Sequence, residues 1–203
     1  MEIIPESIKK VINKLSYLPS IGPRQAMRLA FYLIHQGQNE IISLAQSIND
    51  LKKIKICKNC FFVHENDGPL CNICSNPNRN NKIIMIVLKE TDLISIEKAN
   101  KFNGHYFIIG EITKTGILEE WQKLRLQSLK SLIQKNLGGK ADEIILAFNP
   151  DSLGNLAATL IKKELEGFAH KITRLGKGLP TGGEIEFADD ETLTGAIENR
   201  KLI

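Results

Sequence analysis

A chain of 203 residues, 42% of them hydrophobic, is long enough for one medium domain or two small ones and can bury a core, which excludes whole-chain disorder. No apolar run reaches the roughly 20 residues of a membrane span, and the start MEIIPESIKK lacks the basic head and apolar stretch of a signal peptide, so a soluble cytoplasmic protein is expected. The formal charge of +4 is uneven: residues 1–60 carry nine Lys/Arg against four Asp/Glu, a basic excess that suits either a polyanion or plain solvent.

The first predicted helix covers residues 6–17, where Ile8, Val11, Ile12 and Leu15 form one apolar stripe. "LPSIGPRQAMRLAFYLI" follows, a Pro-Ser-Ile-Gly-Pro turn leading into a second helix that starts near Pro23. Ala26, Leu29, Ala30 and Leu33 give that helix its buried face. A third helix over roughly 39–53 carries Ile41, Ile42, Ala45, Ile48 and Leu51. Residues 1–55 thus read as a small helical unit.

This unit resembles a helix–hairpin–helix element. The turn and the helix start expose backbone N–H groups which, with the helix dipole, favour a phosphate. Arg24 and Arg28 share one face at i, i+4 spacing and add two cations beside Gly22. Nothing there reads bases, so binding would be sequence-independent and salt-sensitive. The commonest hairpin has Gly on both sides of the apolar residue, whereas here the first of the two is Ser20.

The four cysteines come next, as "CKNCFFVHENDGPLCNIC". Cys57, Cys60, Cys71 and Cys74 make two C-x2-C pairs separated by ten residues. Two such knuckles satisfy tetrahedral zinc and leave no position open for catalysis, so one structural Zn2+ per chain is expected over a finger at 56–78. His64, inside the loop, would be a fifth ligand and is left out. "SNPNRNNK" then reads as a linker.

Beyond it strands and helices alternate. Strands are expected at 83–88, 105–109, 143–148 and 171–175, with helices at 92–101, 118–137 and 153–165. The alternation predicts a mostly parallel α/β sheet within residues 79–175. The tail, 176–203, holds "GKGLPTGGEIEFADDETL", with Gly-rich turns, a strand-like "EIEFA" and a short last helix. The chain has no G-x-x-x-x-G-K-[ST], so ATP hydrolysis has no physical support.

In this order the hairpin segment, the four cysteines, the α/β part and "TRLGKGLPTGGEIEFADDETL" resemble the bacterial RecR family of recombination mediators, over essentially the whole chain. The resemblance implies an α/β, multi-module chain with a helix–hairpin–helix unit, a four-cysteine zinc finger, a Toprim domain and a Walker B-like tail. It implies no enzymatic activity, and dimers or ring-like tetramers that encircle DNA in the cytoplasm, at the nucleoid. Such proteins work with RecO and RecF to load recombinase on gapped or single-stranded DNA. In the tail, Gly178, Leu179, Pro180, Gly182, Gly183 and Asp189 would contribute to subunit contacts.

Toprim enzymes hold magnesium with a carboxylate ending the first strand and an aspartate pair after the third. Here the first strand ends in "IVLKETD", with Leu88 at the acid's place and Glu90 two residues on. After the third, "FNPDSLGNLAA" offers Asp151 alone, among Asn149, Leu153 and Asn155. A magnesium-dependent phosphodiester-cleaving enzyme is therefore the alternative that the sequence disfavours.

Overall fold

The structure, a computed structural model, describes residues 3–200. It comprises two compact units that divide between Ile54 and Lys55.

The first unit is helical. α1 (Glu6–Ser16) packs against α2 (Pro23–Gln36), and α3 (Gln38–Asp50) ends in a 3-10 turn, Leu51–Lys53. Gly37 alone joins α2 to α3, at φ +92°, a conformation that lets one residue without a Cβ reverse the chain. Ala26 and Ala30 are fully buried, and Leu29 and Leu33 are half-buried beside them. Ile8, Ile12 and Leu15 of α1 are also half-buried, whereas Val11 is exposed. α3 buries none of its residues: Ile41, Ile42, Leu44 and Ile48, with Leu51 after them, face outward. The apolar periodicity of α3 is real, but the unit has no layer to place against it.

The second unit opens with a two-stranded antiparallel ribbon, β1 (Lys55–Ile56) and β2 (Val63–His64). It continues through β3 (Asn80–Val87), α4 (Glu90–Lys98), β4 (Gly104–Ile108), α5 (Glu120–Asn136), β5 (Ala141–Ala147), α6 (Ser152–Glu164) and β6 (Ala169–Arg174). A 3-10 turn at Ile185–Phe187 and α7 (Asp190–Glu198) complete it. The four long strands form one parallel sheet in the order β4-β3-β5-β6. Strand alternation divides the core between the two faces. Ile84 and Ile86 point to one side with Ile144, Leu146 and the buried faces of α5 and α6. Met85 and Val87 point to the other, where α4 and the apolar residues of the cysteine module, Phe62 and Ile73, cover them. This two-sided burial is why β3 reads as a continuous apolar run. Strand order reverses between β3 and β5, so their carboxyl ends form a switch-point crevice.

One expected element is corrected. "EIEFA" is not a strand but the 3-10 turn, closed by Phe187 N–H to the Glu184 carbonyl and Ala188 N–H to the Ile185 carbonyl. Ile185 and Phe187 are 68% and 80% exposed, and no neighbouring strand pairs with the segment, so alternating side chains alone do not make it a strand.

Candidate nucleic-acid interface and metal centre

The hairpin turn is built by Ser20, at φ +65°, and Gly22, the N-cap of α2, at φ −82° and ψ 168°. Pro23 occupies the first turn and has no N–H to donate. The first helical bond of α2 runs from Ala26 N–H to the Gly22 carbonyl at 2.9 Å, so the N–H groups of Arg24 and Gln25 precede the ladder. No side chain caps them. A Cβ added at Gly22 would meet nothing within 4 Å. Arg24 and Arg28 are both exposed, and among the described residues neither has a hydrogen-bond or ion-pair partner. The turn thus presents free donors, two unpaired guanidinium groups and an approach cleared of side chains.

The four sulfurs of Cys57, Cys60, Cys71 and Cys74 lie within 4.8 Å of one another, and the first three residues are buried. β1 and β2 flank the first knuckle. Its turn is closed by Phe61 N–H to the Cys57 carbonyl at 3.0 Å and Cys57 N–H to the Phe62 carbonyl at 2.8 Å. Phe62 N–H also points at the Cys60 sulfur, 3.4 Å away. Such crowded thiols cannot all ionise alone: the sulfurs of Cys60, Cys71 and Cys74 hold Cys57 low, whereas those of Cys57, Cys60 and Cys71, with burial, push Cys74 up. A divalent cation removes that conflict, and four converging thiolates fit one. His64 stands outside this group, and its Nδ1 accepts the Asn66 N–H at 3.2 Å.

Between α4, the carboxyl ends of β5 and β6 and the tail lies a cleft of about 610 Å³. The acids around it already serve local structure. Asp92 accepts the Lys89 N–H at 3.2 Å at the start of α4, Asp189 caps α7 through the Thr192 N–H at 2.8 Å, and Glu191 pairs with Lys177. Beyond β5, Asp151 caps α6 through the Gly154 N–H at 2.7 Å, a turn so tight that a Cβ at Gly154 would sit 1.9 Å from the Asn149 carbonyl oxygen. Arg174 donates to that same carbonyl at 2.8 Å and to the Asn155 side chain. Among the described residues the four cysteines are the one group of His, Cys, Asp or Glu whose ligand atoms converge for a metal.

In the tail, Leu179, Pro180, Gly182, Gly183 and Asp189 line one shallow hollow, whereas Gly178 faces the cleft. All six are exposed. Residues 201–203 of the tail and residues 1–2 of the helical unit lie outside the described residues. Sequence reasoning did not single out Arg174, whose partners lie 19 and 25 residues away, nor Phe61, Trp121 and Arg125, which meet beside the cysteine cluster. No local pattern marks such contacts.

Residues 8–52 match the family model of the RecR helix-hairpin-helix, residues 82–176 that of the Toprim domain, and residues 178–201 that of the RecR C-terminal segment. Over 199 residues the chain is 34% identical to recombination protein RecR of Gloeobacter violaceus, covering 97% of this chain and 98% of that protein. It is 37% identical over 198 residues to recombination protein RecR of Dehalococcoides mccartyi, covering 96% and 94%. With the corresponding protein of Desulforapulum autotrophicum the identity is 35% over 204 residues, 99% of each chain.

Proposed function

This chain belongs to the RecR family of recombination proteins, and on that premise we propose that it is a non-enzymatic, DNA-binding recombination mediator. The observation that carries the reading is the hairpin: free N–H groups, an open Gly22 and two unpaired arginines suit a phosphate backbone of any sequence. One hairpin holds phosphate weakly, so the protein acts as an assembly in which several hairpins raise affinity through effective concentration. The exposed apolar residues of α3 and of the turn after it support self-association, with Ile42, Ile48 and Leu51 each at least 60% exposed. The tail hollow around Leu179, Pro180 and Gly183 is the second subunit contact in this reading. A ring of two or four chains would clamp gapped or single-stranded DNA and work with RecO, and with RecF, to load recombinase.

The metal is zinc. Four thiolates in two C-x2-C knuckles suit a tetrahedral ion without redox chemistry, and they leave no ligand position for catalysis. The engaged carboxylates around the cleft support the non-enzymatic reading over magnesium-dependent cleavage. The decisive experiment is solution mass of the full chain, with and without gapped DNA, across a salt series. The reading expects a multiple of the 22.7 kDa chain mass and an affinity that falls steeply with salt. A monomer whose DNA binding ignores salt would overturn it, as would Mg2+-dependent nicking of plasmid that Asp151→Asn abolishes.

A further inference from the structure

β4 is an outer strand of the sheet, and outer strands leave a row of N–H and C=O groups unpaired. At Ile108 both outward groups are taken. Its N–H donates to the carbonyl of Cys60 at 2.9 Å, and its carbonyl accepts from Nη1 of Arg125 at 3.0 Å. The Arg125 guanidinium lies 4.5 Å from the ring centre of Phe61 and 4.9 Å from that of Trp121. Phe61 in turn meets Phe107 edge-on, with ring centres 5.4 Å apart, and packs against the core on both faces of the sheet. Its ring therefore wraps the edge of the sheet.

Phe61 reaches that place only at φ +65°, a left-handed backbone that costs a side-chain-bearing residue about 1 kcal/mol or more. The surrounding knuckle must hold it there. Phe61 sits between Cys60, whose sulfur would bind the ion, and Phe62, whose N–H points at that sulfur. The residue that binds the metal and the residue that seals the strand are the same, Cys60, through its side chain and its carbonyl.

We propose that metal occupancy of the four-cysteine site controls whether the outer edge of β4 is sealed, with Cys60 and Phe61 as the seal. The inference rests on the cysteines holding an ion and is independent of the DNA reading. With the ion in place the knuckle keeps Phe61 in its strained backbone and the Cys60 carbonyl on Ile108. Without it the turn relaxes, the Phe61–Arg125–Trp121 stack comes apart, and the Ile108 N–H meets water.

The test is residue-resolved amide exchange on the full chain, with zinc content measured in parallel, before and after EDTA and after Zn2+ is restored. The Ile108 amide is expected to exchange at least about tenfold faster once the metal is removed, while Ile144 on the inner strand β5 keeps its protection. Restored Zn2+ should reverse the change. An Ile108 amide still protected in metal-free protein, or an Ile144 amide that loses protection in step with it, would overturn the inference. A chain that binds no metal at all would overturn both this inference and the zinc reading. Phe61→Gly, which relieves the backbone but removes the ring, should retain full zinc content and still speed exchange at Ile108. Unchanged Ile108 exchange in that variant would count against the seal.

Discussion

Ser20, not Gly22, holds the left-handed backbone of the hairpin, although glycine stands at both positions in the commonest form of this turn. Ser20 carries the unusual φ of +65°. Gly22 has an ordinary φ of −82° and no neighbour that a Cβ would meet. Neither the backbone angle nor crowding requires glycine at position 22, and in the proposed reading it keeps the approach to the turn open. Gly22→Ala should therefore change stability by no more than about 1 kcal/mol, because the smaller entropy of the unfolded chain is opposed by the poorer fit of alanine at an N-cap, while DNA binding weakens severalfold. Thermal melts and a DNA titration on the same preparation check both halves.

Arg24 and Arg28 point into solvent without partners, so removing them should leave the fold intact. In the double variant Arg24→Ala/Arg28→Ala, the slope of log affinity against log salt should shrink by about two for each hairpin in contact with duplex DNA. Fluorescence anisotropy at a series of salt concentrations measures it. Zinc content should be unchanged.

Cys71 is buried within the sulfur cluster, 3.5 Å from the Cys60 sulfur. Cys71→Ser should lose the ion and several kcal/mol of folding free energy in the second unit. Metal analysis combined with denaturant unfolding reads both. A metal-free variant that remained as stable as the parent would contradict a structural role.

Glu143 gives a pH signature. The Thr173 hydroxyl at 2.7 Å and then the Lys171 ammonium at 3.0 Å hold its carboxyl below the usual carboxylate range, against the opposing effect of burial. A carboxyl lowered in the folded state stabilises the fold above its unfolded pKa, and that contribution is lost as pH falls through the folded pKa. Glu143→Gln should thus cost about 1 kcal/mol at neutral pH and almost nothing in strong acid. Urea unfolding at the two pH values separates them.

Much of this architecture is legible in the sequence, for identifiable reasons. "IIMIVL" announces a strand covered on both faces, and Met85 and Ile86 do face opposite halves of the core. The spacing of the cysteines anticipates the convergence of their sulfurs. What stayed hidden depends on contacts between distant residues. "EIEFA" alternates like a strand, yet pairing needs a neighbour and the segment has none. The apolar side of α3 reads like a buried face, but periodicity does not say what covers it. Arg125 reaches Ile108 across 17 residues of sequence, and Phe61 joins them from the metal loop, so no local pattern could have paired them.

The first unit has Ala26 and Ala30 as its only fully buried apolar residues among those described. Two methyl groups contribute little against the ordering entropy of a segment this long. If neighbouring chains cover its exposed isoleucines and leucines, folding of the hairpin and association obey one mass-action law. Dilution would then erode the proposed phosphate site before the parallel sheet loosens, and the midpoint for melting the hairpin would rise with protein concentration. DNA, by bridging hairpins, would act on that equilibrium as a stabilising ligand.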